Sequence, residues 1–172
     1  VPISIYLCNS VVISLVGTGG HLVLASLCAY AFAKHKFPGR NIMFQTVVLS
    51  LMFSGTVTAI PSFMIFSGLH LINSHWSLIL PAFCSSLGLY LMKQFIEQLI
   101  PDALLEAARI DGAGEWRIFW GIVMPIVKPA WLTLIIYSFQ GLWNTGSNTL
   151  IQNEQLKTLN YALSQIVSGG VA

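Results

Sequence analysis

The charged side chains of this chain gather in one place. Nine of its fourteen Asp, Glu, Lys and Arg residues lie between Lys93 and Lys128, and residues 101–129 hold the types and spacings that can do chemical work. Within that stretch no nucleophile sits beside a base and no metal-ligand set forms, so the chemistry on offer is recognition rather than bond making. Pro101 suits the first turn of a helix, residues 103–110 are mostly strong helix formers, and Gly112 can end the helix in a left-handed conformation. A short helix is expected there. Ala107 and Ala108 give it a low profile against which another protein's backbone can approach, while Glu106, Arg109 and Asp111 offer charged contacts at its edges. After Gly112 and Gly114, a second helical stretch carrying Trp116, Ile118, Phe119 and Trp120 is expected on a membrane interface. It leads through Pro125 into the next apolar run, so a push on the short helix can reach that run.

The other reactive side chains read more plainly. Cys8, Cys28 and Cys84 fall inside apolar stretches without a CxxC pair, as small apolar fillers do. His70 and His75 are loop residues too few to hold a metal, His21 reads as a packed or interfacial histidine, and Lys128 as an anchor that snorkels to the headgroups. Tyr90, Tyr137, Gln140 and Asn144 either line a polar path by stacking and hydrogen bonding or join helices to each other. Both readings stay open from the residues alone.

The elements that must position the loop follow from composition. Hydrophobic residues make up 55% of the chain and charged ones only 8%, with a mean hydropathy of +0.75. A soluble domain carries roughly 25% charge, so the bilayer is the natural solvent. The fold class expected is all-α, a polytopic transmembrane helix bundle. Four charge-poor windows are each long enough to cross, at about 20 residues apiece: 7–32, 43–67, 77–96 and 124–143. Lys34, Lys36 and Arg40, with Pro38 and Gly39, separate the first two, and the cluster from His70 to Trp76 separates the next two. Seven of the eight Lys and Arg residues lie in regions 34–40 and 93–128. The positive-inside rule makes those regions cytoplasmic and the polar tail from residue 144 onward extracytoplasmic. No signal peptide is visible, and the sequence reads as an internal piece of something longer. The mild charge and the lack of a basic tract argue against nucleic acid as a partner. No span carries a central acid or base of the kind that marks proton or sodium coupling, so the energy for any transport is expected to arrive from outside the membrane.

These residues resemble a known family, the permease subunits of binding-protein-dependent ABC importers, whose signature is the EAA loop. Glu106-Ala107-Ala108, then Asp111-Gly112-Ala113, then Phe119, Ile122, Pro125 and Pro129 fall at the family's spacing, within a loop of about 101–125. The wider chain resembles the carbohydrate-type branch, similar to the smaller maltose-type permease subunit: Asn9-Ser10, residues 29–33, Phe37-Pro38-Gly39-Arg40, Pro61 and Trp143-Asn144 all support this. The resemblance implies a six-span subunit of a bacterial or archaeal plasma membrane. It would pair with a second permease and rest on a cytoplasmic ABC ATPase dimer, each ATPase receiving one EAA helix, while an extracytoplasmic solute-binding protein delivers a sugar. Glu106 to Ala108 and Asp111 to Ala113 would then be the ATPase-coupling residues, and Phe119, Pro125 and Pro129 the link from loop to span. Tyr137, Gln140 and Asn144 are the pathway candidates. No cofactor is expected on this chain, because ATP and Mg would be held by the ATPase. The sequence departs from the pattern in showing four spans rather than six, and in the polar runs 145–148 and 152–155.

Two other classes make different demands. A secondary transporter or channel calls for acids or broken-helix sites at the midplane, and a membrane-embedded enzyme for a nucleophile or metal constellation; neither is seen. An ABC permease for a non-sugar solute remains the nearest alternative, since the EAA loop reads the ATPase and not the cargo.

Overall fold

The computed structural model describes residues 2–146 and 150–169; Ser147 and Asn148 of the polar run after residue 144, with Thr149 and the last three residues, lie outside the described residues. Every regular element among the described residues is helical: α1 Ile3–Lys34, α2 Arg40–Ser50, α3 Gly55–Gly68, α4 Trp76–Phe83, α5 Ser86–Leu99, α6 Asp102–Ile110, α7 Glu115–Ile118, a π turn Phe119–Val123, α8 Met124–Ile126, α9 Lys128–Trp143 and α10 Leu159–Gly169. Two stretches, Ile3–Lys34 and Trp76–Leu99, are long and apolar enough to cross a membrane, and up to four are if each interrupted pair counts as one span.

The interruptions have local causes. The window 43–67 is not one helix: it breaks between Ser50 and Gly55, where Ser54 caps the new helix by accepting from the Thr56 amide at 3.3 Å. The window 77–96 breaks at residues 84–85, where Ser85 starts a fresh helix by accepting from the Gly88 amide. The window 124–143 begins its long helix only at Lys128. The tail adds a helix the sequence reading left out, α10, whose first amide, Leu159 N, is accepted by Ser10 Oγ at 2.8 Å.

The chain divides into two compact units. The first, of Val1–His21, Phe53–Cys84 and Ile135–Ala172, has an apolar core of Ile13, Leu78, Ile79, Leu142 and Ile151. Its part of α1 buries small residues, Ser10, Ser14 and Thr18, together with His21, and close approach of helices depends on such residues. A Cβ on Gly20 would lie 2.2 Å from Phe83 Cε1. Polar side chains tie its surface segments together. Asn73 Oδ1 accepts from the amides of Gln152 (2.6 Å) and Asn153 (3.1 Å), and Asn9 Nδ2 donates to the carbonyls of Gln155 (2.8 Å) and Lys157 (3.1 Å). The Lys157 ammonium holds the Glu154 carboxyl below the usual carboxylate range.

The second unit, of Leu22–Met52 and Ser85–Leu134, carries the loop. Its core takes Ala29 and Tyr30 of α1, Met92 and Ile96 of α5, Leu105 and Ala108 of α6, then Ile118, Phe119, Val123, Val127, Ala130 and Leu134. The spacings of three and four residues in α5, in α6 and from Phe119 to Leu134 are those of helix faces. Phe44 of α2 is stacked on Tyr90 (6.1 Å between ring centres) and lies 4.2 Å beneath the Lys93 ammonium, an arrangement that holds α2 to α5.

Gly20→Ala is expected to cost about 1–3 kcal/mol by overpacking against the Phe83 ring, whereas Gly19→Ala, which meets nothing within 4 Å, should leave stability unchanged. Thermal unfolding of the detergent-solubilised protein compares the two.

Candidate functional site

The short helix of the loop forms where its residues dictate. α6 opens after Pro101 with Asp102 in its first turn and closes with Arg109 in its last, each charge favourable to the helix dipole. Gly112 follows at φ +80°. Its amide bonds the Arg109 carbonyl and the Ala113 amide bonds the Ala108 carbonyl, both at 3.0 Å, so the exit is a Schellman turn that only glycine enters without strain.

Successive residues on a helix point 100° apart, and this separates the alanine pair. Ala108 and Leu105 face the unit's core, Leu105 only 2% exposed, while Ala107 faces out with Ala103, Glu106 and Ile110. The low-profile surface is therefore Ala103, Ala107 and Ile110, with Glu106 beside them, and Ala108 is a packing residue. Ile110, 86% exposed, is the apolar member the sequence reading missed, although its spacing from residues 103 and 107 is the signal that marks it. Asp111 and Gly112 are exposed at the exit, and Ala113 packs on the core.

Both ends of α6 are held by α1. The Lys34 side chain is 6% exposed, and its Nζ donates to the Ile100 carbonyl (2.6 Å) and to Asp102 Oδ1 (2.7 Å). That carbonyl ends α5, where a helix favours a cation, and the ammonium lowers the Asp102 pKa by hydrogen bond and charge. At the other end, Glu115 Oε1 accepts from Arg109 Nε (2.7 Å), and Oε2 accepts from the Tyr30 hydroxyl (2.8 Å) with His35 Nε2 at 3.4 Å. The same hydrogen bond raises the Arg109 pKa further. The sequence reading took Lys34 only as a charge ending the first window and Tyr30 only as part of the 29–33 resemblance, and it gave Glu115 no role. The only trace of their joint role is the i, i+4 spacing of Tyr30 and Lys34. A cleft of about 410 Å³ lies beside them, lined in part by His35, Lys36, Leu105 and Glu106.

The link to the next helix is also defined. Phe119 is buried against the Tyr30 ring, 5.6 Å between centres, and Ile122 packs on the same core. Trp116 and Trp120 remain exposed. Pro125 lies near the end of the continuous helical run Glu115–Ile126, just after its π turn, and Pro129 is the second residue of α9, where an amide would have no intrahelical partner. Between Glu115–Ile126 and Lys128–Trp143 the axis bends by 79°. The Met124 carbonyl, which the bend deprives of a helical donor, accepts from Trp131 Nε1 at 3.0 Å. Tyr137 and Gln140 are exposed on one face of α9, and Asn144, just past its end, is exposed too, its carbonyl accepting from the Asn160 amide group. Tyr90 is engaged with Phe44.

Residues 21–150 match the family model described as "Binding-protein-dependent transport system inner membrane component". The chain is 38% identical over 143 residues to the sn-glycerol-3-phosphate transport system permease protein of Yersinia enterocolitica, covering 83% of this chain and 50% of that protein. It is 36% identical over 162 residues to the arabinooligosaccharides transport system permease protein of Bacillus subtilis, covering 93% and 57%. A crystal structure of a bacterial ABC transporter involved in the import of the acidic polysaccharide alginate superposes with a TM-score of 0.87 at 26% identity, covering 96% of this chain and 59% of that one. The chain spans about half the length of the curated relatives it matches.

Gly112→Ala forces a left-handed residue to carry a Cβ, at roughly 1–2 kcal/mol. It should speed tryptic cleavage at Arg109, while Gly114→Ala, at φ −72°, should leave the cleavage rate as it is.

Proposed function

The chain belongs to the family of binding-protein-dependent transport system inner membrane components, and from that membership we propose that it is part of the permease subunit of an ATP-driven importer of a sugar or oligosaccharide. The observation that carries the proposal is α6: a nine-residue helix with an outward face of Ala103, Glu106, Ala107 and Ile110, fixed at both ends to the rest of its unit. An exposed face of alanines with one isoleucine and one carboxylate suits insertion into a groove on another protein. Glu106 to Ala108 and Asp111 to Ala113 form the coupling segment, with Ala107 at the interface and Ala108 and Ala113 supporting it from within. Phe119, Pro125 and Pro129 carry the motion into α9.

The partners of the whole subunit follow from this reading: a cytoplasmic ATPase dimer that binds ATP and Mg and hydrolyses the nucleotide, a second permease, an extracytoplasmic solute-binding protein, and the lipid around the spans. The permease itself is not an enzyme, and it has no role with nucleic acid. A carbohydrate cargo is supported by the names of relatives that concern arabinooligosaccharides, polygalacturonan/rhamnogalacturonan and alginate, while sn-glycerol-3-phosphate, named for another, is a phosphorylated glycerol that shares their hydroxyl groups. Polyhydroxylated solutes are common to all of them. Tyr137 and Gln140, exposed on one face of α9, and Asn144, exposed just past its end, have the stacking and hydrogen-bonding groups such a solute needs.

Deleting residues 104–113 from the full-length subunit tests the reading. The subunit should still reach the membrane, yet lose both co-purification with its ATPase and ATP-dependent uptake of labelled oligosaccharides. Uptake that persists without the ATPase, or follows a proton gradient, would overturn it.

A further inference from the structure

We propose that Tyr30 and Lys34 are positioning residues that bind the end of α1 to α6, so that α1 moves with the docking helix as one body through the nucleotide cycle. The proposal rests on the reading of α6 as the ATPase-docking helix. It starts from the covalent connections. After Ile110 the chain passes through Asp111, Gly112, Ala113 and Gly114 before α7 begins, and a turn with two glycines bends more readily than it transmits a push. Arg109 and Glu115 are paired across that turn at 2.7 Å, closing it with a bridge. The bridge alone is weak, since its side chains are 39% and 46% exposed and water screens such pairs. Glu115 is fixed instead by the Tyr30 hydroxyl at 2.8 Å, from a side chain in the core.

The opposite end of α6 shows the same plan. Asp102 is 79% exposed and its pair with Lys34 would also be screened, but Lys34 is only 6% exposed and is anchored independently by the Ile100 carbonyl at 2.6 Å. Tyr30 and Lys34 are one turn apart on a single face of α1. They therefore grip the first residue of α6 and, through Glu115, the last turn of a helix about 14 Å long. A rod held only at its covalent ends can tilt, whereas one held at both ends by a single neighbouring helix must carry that helix along. On this account α1 receives the ATPase stroke directly, in parallel with the route through Phe119 and the bend at Val127.

The test uses the full-length subunit assembled with its ATPase, with Cys8, Cys28, Cys84 and every further cysteine of that subunit replaced and spin labels at Ala31→Cys and Leu104→Cys, the latter at the side of α6 rather than on its outward face. The α1–α6 separation is read by pulsed EPR without nucleotide and with ATP trapped by vanadate. In the otherwise wild-type protein the separation should differ between the two states by less than about 1 Å. With Tyr30→Phe and Lys34→Met together it should be unchanged without nucleotide but shift or broaden by about 2 Å or more in the trapped state, the scale of helix shear. Lys34→Arg, which keeps the donors, should restore the fixed separation. A role in folding alone would alter both states equally, so equal change, or no change in the trapped state of the double variant, overturns the proposal. Should the double variant not assemble, Tyr30→Phe alone removes one hydroxyl and is expected to give a smaller shift in the same state, its absence counting against the proposal. If removing residues 104–113 leaves the ATPase bound, the docking reading fails. If it releases the ATPase while the labels stay fixed in the variant, only this proposal fails.

Discussion

One buried ammonium organises the functional end of this chain. The Lys34 side chain is 6% exposed, and an unpaired charge in such a place costs several kcal/mol. It is tolerable only because the carbonyl ending α5 and the carboxylate opening α6 converge on it. Three helix ends are thereby brought to one point. Ala29 of α1, Ile96 of α5 and Leu105 of α6 are buried in one core, and the outward face of α6 is defined by what this packing leaves uncovered.

A second constraint is the handling of interrupted helices. In a bilayer every freed backbone group needs a partner, and the breaks here provide one in each case: Ser54 at the start of α3, Ser85 at the start of α5, and the Trp131 indole on the Met124 carbonyl at the bend before α9. Each of these bonds satisfies one of the groups that a break frees. The Trp131 contact braces the 79° bend between Glu115–Ile126 and α9.

Much of this was legible in the residues. The charge-poor windows announce apolar helices, of which two are long enough to cross a membrane and up to four are if each interrupted pair counts as one, and Pro101, the alanines and Gly112 mark a short helix ended by a left-handed glycine, which is α6 with its Schellman exit. What could not be read depends on partners distant in sequence. Glu115 meets Tyr30 across 85 positions and Lys34 meets Asp102 across 68, and no local pattern announces either. The breaks in the second and third windows were missed because hydropathy alone does not register a serine cap. Ala107 and Ala108 were read as one surface because adjacency in sequence conceals the rotation of a helix.

The central claim, that the outward face of α6 enters a partner ATPase, is tested most directly by photo-cross-linking from single positions in the assembled transporter. A benzophenone side chain at Ala107 or Ile110 should capture the ATPase in good yield, and one at Trp120, exposed but beyond the docking helix, should not. Equal capture from all three positions, or none from residues 107 and 110 while the ATPase remains bound, would contradict the account.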